Sequence, residues 1–309
     1  MIVYNPGKNW IGDIFHLFKS YIMKLLFIRT LWVGLYALIV FCVIHFFNLY
    51  DSLNMDTTAF SLLGIVLSIL MVFRTNTAYD RWWEGRKQWG ALVNHSRNLA
   101  IYLKAILPET ENQSLKFFAV HISNFCLALK EHLRKGVKLE DLIDLTEEEK
   151  AEYLSKNHIP NHISLQIYQK ITHHYKKGQI SDAELLNLKT HSQALLDILG
   201  ACERIKKTPI PFSYVVYLEI FVIFYGLIVP FALIDIYYWA VVPITMFVFF
   251  AFAGIQMIAD EIEDPFSLLC NALPTGNIAH TIKKNVFEIL INQSSTSQTS
   301  EPELYQKIF

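Results

Sequence analysis

The sequence predicts an all-α membrane protein with four transmembrane helices and a large cytoplasmic helical domain. Three observations predict it. Of 309 residues, 53% are hydrophobic and 14% aromatic, while only 18% are charged, a balance beyond the usual soluble range. Apolar runs fall in two pairs, within 30–73 and 212–258, and the stretch between the pairs is charged, rich in helix formers and poor in strand patterning. Lys and Arg flank the first pair on one side only, with Lys8, Lys19, Lys24 and Arg29 before it and Arg74, Arg81, Arg86 and Lys87 after it. By the positive-inside rule both termini and the intervening domain are then cytoplasmic.

Residues 1–29 read as an N-terminal cytoplasmic or interfacial segment. Trp10 to Lys24 has Trp10, Ile11, Ile14, Phe15, Phe18, Tyr21 and Ile22 set among polar positions, the pattern of one amphipathic helix lying on a membrane or docked on a neighbouring domain. No cleavable signal is expected, because the first long apolar run starts near Thr30 and lacks a small-residue cleavage site. Thr30 to Phe47 has spanning length, with His45 as its one polar intruder. A polar loop with Asp51 and Asp56 leads to the second span, Ala59 to Phe73.

That second span belongs to the stretch Phe60 to Gly90, around which the chain is organised. Its first half is almost purely apolar; its second supplies Arg74, Asp80, Arg81, Glu84, Arg86 and Lys87 interleaved with Tyr79, Trp82, Trp83 and Trp89. No Gly or Pro falls between Gly64 and Gly85, so one helix leaving a bilayer for water is the simplest reading. Ile65, Ile69 and Phe73 recur at i, i+4 and i+8, one row along a helix. By periodicity the row reads first as a face packed on other helices; several copies around an axis would instead make stacked apolar rings that gate by dewetting. Gly64 and Ser68 are small enough to let helices approach closely.

Residues 74–211 form the cytoplasmic helical domain. Leu92, Leu99, Leu103 and Ile106 recur at helical intervals, and breaks are expected at Pro108, Gly136, Pro160 and Gly178. Glu147 to Lys150 is a solvated helix face, and Ser181 with Glu184 is a capping box opening a helix toward Ile205. Phe212 to Ile234 and Tyr237 to Ile258 are the last two spans, linked tightly at Asp235, with Pro230 and Pro243 tolerated inside a bundle. Glu219 is the carboxylate inside them, a functional candidate by default and otherwise a hydrogen-bonded residue near the cytoplasmic end. Residues 259–309 hold an acidic exit, a helix over Asn277 to Ile291 and a polar, low-complexity tail from Asn292.

Several function classes find no footing. The net charge of −1 gives no nucleic-acid footprint. Cys42, Cys126, Cys202 and Cys270 are scattered, so neither a disulfide framework nor a metal motif is expected. His173–His174 and the His158/His162 pair around Pro160 lack the helical HExxH geometry of a zinc hydrolase, and no phosphate loop, GxSxG elbow or CxxC is present. An enzyme is therefore not expected, and no cofactor is implied.

The phrase FRTNTAYDRWWEGRKQWG, preceded by SLLGIVLSIL, closely resembles the prokaryotic bestrophins. TPIPFSY at Thr208 to Tyr214 and DEIEDPF at Asp260 to Phe266 agree with it, so the resemblance spans nearly the whole chain. It implies a homopentamer in the plasma membrane with one axial pore, passing small inorganic ions passively, its narrow neck lined by Ile65, Ile69 and Phe73. It also implies a second constriction at the cytoplasmic end, placed by spacing close to Ala183, with Ile180 the bulkier neighbour. Arg74, Asp80, Arg81, Trp82, Trp83, Glu84 and Arg86 are expected to be structural, pairing within or between subunits. Eukaryotic members carry an acidic calcium clasp after the Pro–Phe dipeptide; here Pro265 and Phe266 are followed by SLLCNALPTG, without a carboxylate, so gating through that clasp is not expected. An apolar neck carries no fixed charge. The prokaryotic branch and the acidic cytoplasmic patches lean the ion's sign toward cations such as sodium or potassium, with chloride kept open. The reading from another class is a membrane-anchored helical scaffold or sensor, whose 74–211 domain binds a partner and which needs no pore.

Overall fold

The structure, a computed structural model, describes residues 10–18, 20–50 and 57–292. The opening residues through Asn9, the loop containing Asp51 and Asp56 and the tail beyond Asn292 lie outside the described residues. Every regular element among those described is helical. In order they are α1 (Trp10–Phe18), α2 (Tyr21–Phe47), α3 (Thr57–Ile106), α4 (Asn112–His132), α5 (Glu147–Leu154), α6 (Ile159–Lys176), α7 (Asp182–Lys207), α8 (Phe212–Tyr237), α9 (Val241–Glu263) and α10 (Thr275–Ile291).

The chain divides into two compact units. One takes the N-terminal helices through Arg81 together with Pro209–Glu263, and the other takes Trp82–Thr208 with the residues from Asp264 onward. In the first unit α2 packs on α9 and α8, and α8 on α9. Among the described residues three stretches are long and apolar enough to cross a membrane: Tyr21–Phe47, Thr57–Ile106 and Phe212–Glu263, the last of which contains both α8 and α9. Glycines let these helices meet. A Cβ on Gly34 would lie 2.6 Å from the Met246 sulfur, and one on Gly64 only 2.4 Å from the Tyr225 hydroxyl oxygen. The expected role of Gly64 in close packing is thus met against α8. Ser68 differs, turning its exposed hydroxyl back to the Gly64 carbonyl at 2.8 Å.

The single amphipathic helix expected over Trp10 to Lys24 is two helices. α1 ends at Phe18, and Ser20, in extended backbone, caps a new helix by accepting the Met23 N–H at 3.2 Å. The serine hydroxyl satisfies a first-turn N–H that the helix start leaves without an intrahelical partner. The first membrane helix consequently starts at Tyr21, well before Thr30. The link expected at Asp235 also lies later. α8 continues through Tyr237, and the turn is Tyr238–Ala240, entered by Tyr238 at a φ of 49°. Pro230 sits inside α8, whereas Pro243 occupies the first turn of α9, where a missing N–H costs nothing.

The second unit is built on α4, whose residues from Leu115 to Leu129 are buried on nearly every side. α10 and α6 pack against it, and α7 packs on α6. Buried Asn124 closes the loop before α5 with two bonds, donating to the Ile143 carbonyl at 2.9 Å and accepting its N–H at 2.8 Å. Gly136 and Gly178 take φ values of 102° and 73°, the left-handed region where glycine avoids the Cβ clash. Pro160, expected as a break, starts α6 from its first turn. The Ser181–Glu184 capping box opens α7, and a second box, Thr146 with Glu149, opens α5 at the charge run.

Candidate functional site

α3 carries the site, and its two faces differ in kind. Phe60, Leu67, Met71, Arg74 and Ala78 are buried. At about 3.6 residues per turn, Ile65, Ile69 and Phe73 fall on the opposite side. They are 56%, 51% and 60% exposed. The helices of the first unit thus leave the row more than half open, so any face packed over it would come from outside this unit. Asp80 and Trp83 are also exposed, farther along the helix.

The buried face ends in an ion cluster. Arg74, 1% exposed, donates through one terminal nitrogen to Asp260 at 2.8 Å and to Glu263 at 2.6 Å. The other carboxylate oxygen of Glu263 accepts the Ile210 N–H at 2.8 Å, and its backbone carbonyl accepts from Arg81 Nε at 3.1 Å. The Tyr214 hydroxyl donates to the Leu70 carbonyl at 3.2 Å. Residues from three separated sequence marks, Arg74 and Arg81, Ile210, and Asp260 and Glu263, thus meet in one ion cluster of the first unit. One terminal nitrogen serves both carboxylates through charge-assisted hydrogen bonds, while Nε and the other terminal nitrogen of Arg74 are buried without a hydrogen-bond partner among the described residues. The opposite charges that hold Arg74 lie 186 and 189 residues away along the chain, and the acidic exit of the last span is the sequence feature that points to them.

The remaining signature residues divide. In the second unit Trp82 donates its indole N–H to the Asn271 carbonyl at 2.9 Å and stacks with Trp83. Glu84 pairs with Lys87 at 2.7 Å and accepts from Gln88 at 2.7 Å. Asp80 and Arg86 are exposed and form no ion pair with the described residues. Trp89, not singled out for this, is fully buried in the core of the second unit.

The acidic exit is consumed by pairing. Beside Asp260 and Glu263, Asp264 takes Lys206 at 2.5 Å, and Glu261 is buried at 4% exposure. Of the two constriction candidates, Ala183 is exposed in the first turn of α7, whereas Ile180 is 2% exposed inside the core of the second unit. A side chain held there has no surface with which to line an opening, so the bulkier candidate is withdrawn. Glu219 is exposed on α8.

Comparison with known proteins supplies a frame for this geometry. The family model described as Bacterial/Fungal Bestrophin protein matches residues 1–288. A voltage-dependent anion channel-forming protein of Synechocystis sp. is 35% identical over 231 residues, covering 74% of this chain and 75% of the relative. The Escherichia coli K12 protein YneE, which bears the same channel-forming description, is 29% identical over 93% of this chain and 94% of its own length. A crystal structure of a bacterial bestrophin homologue from Klebsiella pneumoniae superposes with a TM-score of 0.80 at 30% identity, covering 85% of this chain and 98% of that one. A whole-length family match, membrane-spanning helices and the apolar row on α3 agree: the chain belongs to the bestrophin family of membrane proteins.

Proposed function

We propose that this chain is one subunit of a homopentameric ion channel in a prokaryotic plasma membrane, crossing the bilayer four times with both termini cytoplasmic. Monovalent inorganic ions pass down their gradient through an apolar neck formed by Ile65, Ile69 and Phe73 of each copy. The observation that carries the reading is the exposure of this row on the side of α3 that its own chain leaves open, on a helix that matches the family's signature. One subunit cannot enclose an axial pore; copies that turn these rows to a common axis give three stacked rings whose wetting controls passage. Ala183, small and exposed, is the proposed position of the second constriction. The bilayer is the other partner, covering the apolar surface of α2, α8 and α9.

Two readings of the ion's sign stand, each on a specific observation. The relatives are described as anion channel-forming proteins, which runs against the lean to cations. The fixed charges weaken that lean further, since Asp260, Glu263 and Asp264 are engaged by Arg74 and Lys206. What speaks for cations is exposed Asp80, farther along α3 from the neck residues. The reversal potential of purified protein in a planar bilayer under an asymmetric KCl gradient assigns the sign: a shift toward the potassium equilibrium potential means cations, and a shift toward that of chloride means anions. Silence from folded, pentameric protein would count against a constitutively open channel, and a stable monomer would favour the membrane-anchored scaffold.

A further inference from the structure

Outside the channel machinery, the second unit brings together three side chains that the sequence keeps apart. His132 is the last residue of α4, His158 caps the start of α6, and Glu203 lies in the last turns of α7. His132 Nε2 is 2.5 Å and His158 Nε2 2.9 Å from the same oxygen, Oε1 of Glu203. The imidazole centroids are 4.5 Å apart, and one ligating atom from each of the three residues lies within 4.8 Å of the others. Two imidazoles and a carboxylate converging on one point are a borderline-soft donor set, suited to zinc and its neighbours and poorly suited to calcium or magnesium, which take oxygen.

We infer that His132, His158 and Glu203 form a binding site for a divalent transition-metal ion, zinc foremost, that ties α4, α6 and α7 together. Three protein ligands with a fourth position for water or a further ligand are a complete arrangement for zinc. Ligands about 2.1 Å from a tetrahedral ion stand ~3.4 Å from one another, so the rings retreat from Glu203 by less than about 1 Å to admit it. The site is reachable: the three side chains are 23%, 30% and 20% exposed. Glu203 also lines a groove of about 530 Å³ between α6 and α7, with Asn161, Ser164, Ser192 and Gly200 along it. Lys207, 3.7 Å from the second oxygen, leaves Oε1 to the histidines.

One bond opposes the ion. His158 Nδ1 accepts the Asn161 N–H at 3.3 Å as the helix cap, which places the ring proton on Nε2, the atom that would ligate. Binding moves that proton to Nδ1 and gives up a long, weak cap bond. His132 carries no such conflict with the described residues.

The test uses full-length protein in detergent, stripped with a chelator and titrated with Zn2+ against a chromophoric competitor. The expected result is one ion per chain, with His132→Ala and His158→Ala each weakening binding by more than the roughly 10- to 100-fold typical of losing an outer-shell partner. His173→Ala, which removes an exposed histidine elsewhere on α6, leaves it unchanged. If either ligand variant fails to fold, Co2+ loaded into the unaltered protein keeps the question answerable. The intense visible bands of a four-coordinate nitrogen–oxygen site support the assignment, and the pale spectrum of a hexa-aquo-like ion overturns it. Unchanged Zn2+ affinity in folded His132→Ala and His158→Ala protein also overturns it and leaves the cluster as a hydrogen-bonded clasp.

Discussion

The two faces of α3 show how one helix serves two solvents at once. The face carrying Leu67, Met71 and Ala78 is packed to 2% exposure or less and closes on Arg74, a buried charge paired with Glu263 and with the partly exposed Asp260. The face carrying Ile65, Ile69 and Phe73 is apolar and open. In a soluble protein the charge would be outside and the isoleucines inside. Their exchange shows that the chain's own core holds the helix in place, while the open row awaits something beyond this chain. Arg74 belongs to folding, and the row is the proposed lining of the ion pathway.

Breaking the packed face should have the largest effect. Arg74→Ala leaves Glu263, 16% exposed, and Asp260, 42% exposed, without their cation. Removing one member of a buried pair costs about 3–5 kcal/mol, with the lower end expected here because Asp260 reaches solvent. The expected outcome is loss of monodisperse protein, or a steep fall in thermal midpoint; an unchanged midpoint would break the comparison. Next in size is Gly64→Ala. The added Cβ meets the Tyr225 hydroxyl at 2.4 Å, and Tyr225 is held by its stack on Phe60, centroids 4.4 Å apart. Overpacking of this kind costs about 1–3 kcal/mol. Gly34→Ala should cost less, because the atom it meets is the flexible thioether of Met246, and a thermal-midpoint series across the three variants tests that order.

A smaller effect is a pH dependence in the second unit. His121 is 2% exposed, donates Nδ1–H to the Phe117 carbonyl at 2.9 Å and stacks on the Phe117 ring. Burial lowers its pKa below the ordinary histidine value, only partly offset by that bond and by Glu149. The folded chain therefore binds this proton less readily than the unfolded one. The stability that neutral His121 confers is present above about pH 6.5 and is lost as pH falls through the folded value. Denaturant midpoints should decline on that acid side, and His121→Gln should flatten the slope; an equal slope in both proteins would assign it to other groups.

Much of this was legible in the sequence, and for physical reasons. Long apolar runs, the Gly- and Pro-free stretch of α3 and the Ser181–Glu184 box are local signals, and the helices follow them. The break at Ser20 was missed because a single serine between two apolar helical patterns does not disturb their period. The partners of Arg74 and the meeting of His132, His158 and Glu203 were missed because such contacts depend on how helices pack, and no spacing along the chain encodes them. Ile180 misled by its size: a bulky apolar side chain beside a helix start is as useful to a core as to a constriction, and here the core holds it.

The central claim is that the open row on α3 is the neck of an ion pathway. It is tested most directly by single-channel currents from unaltered, Ile65→Ala and Phe73→Ala protein at matched oligomeric state in planar bilayers. Both side chains are more than half exposed, so truncation should move stability by no more than about 0.5 kcal/mol. The account predicts a changed conductance or open probability with the fold intact. Identical currents from folded oligomers of all three proteins would contradict it.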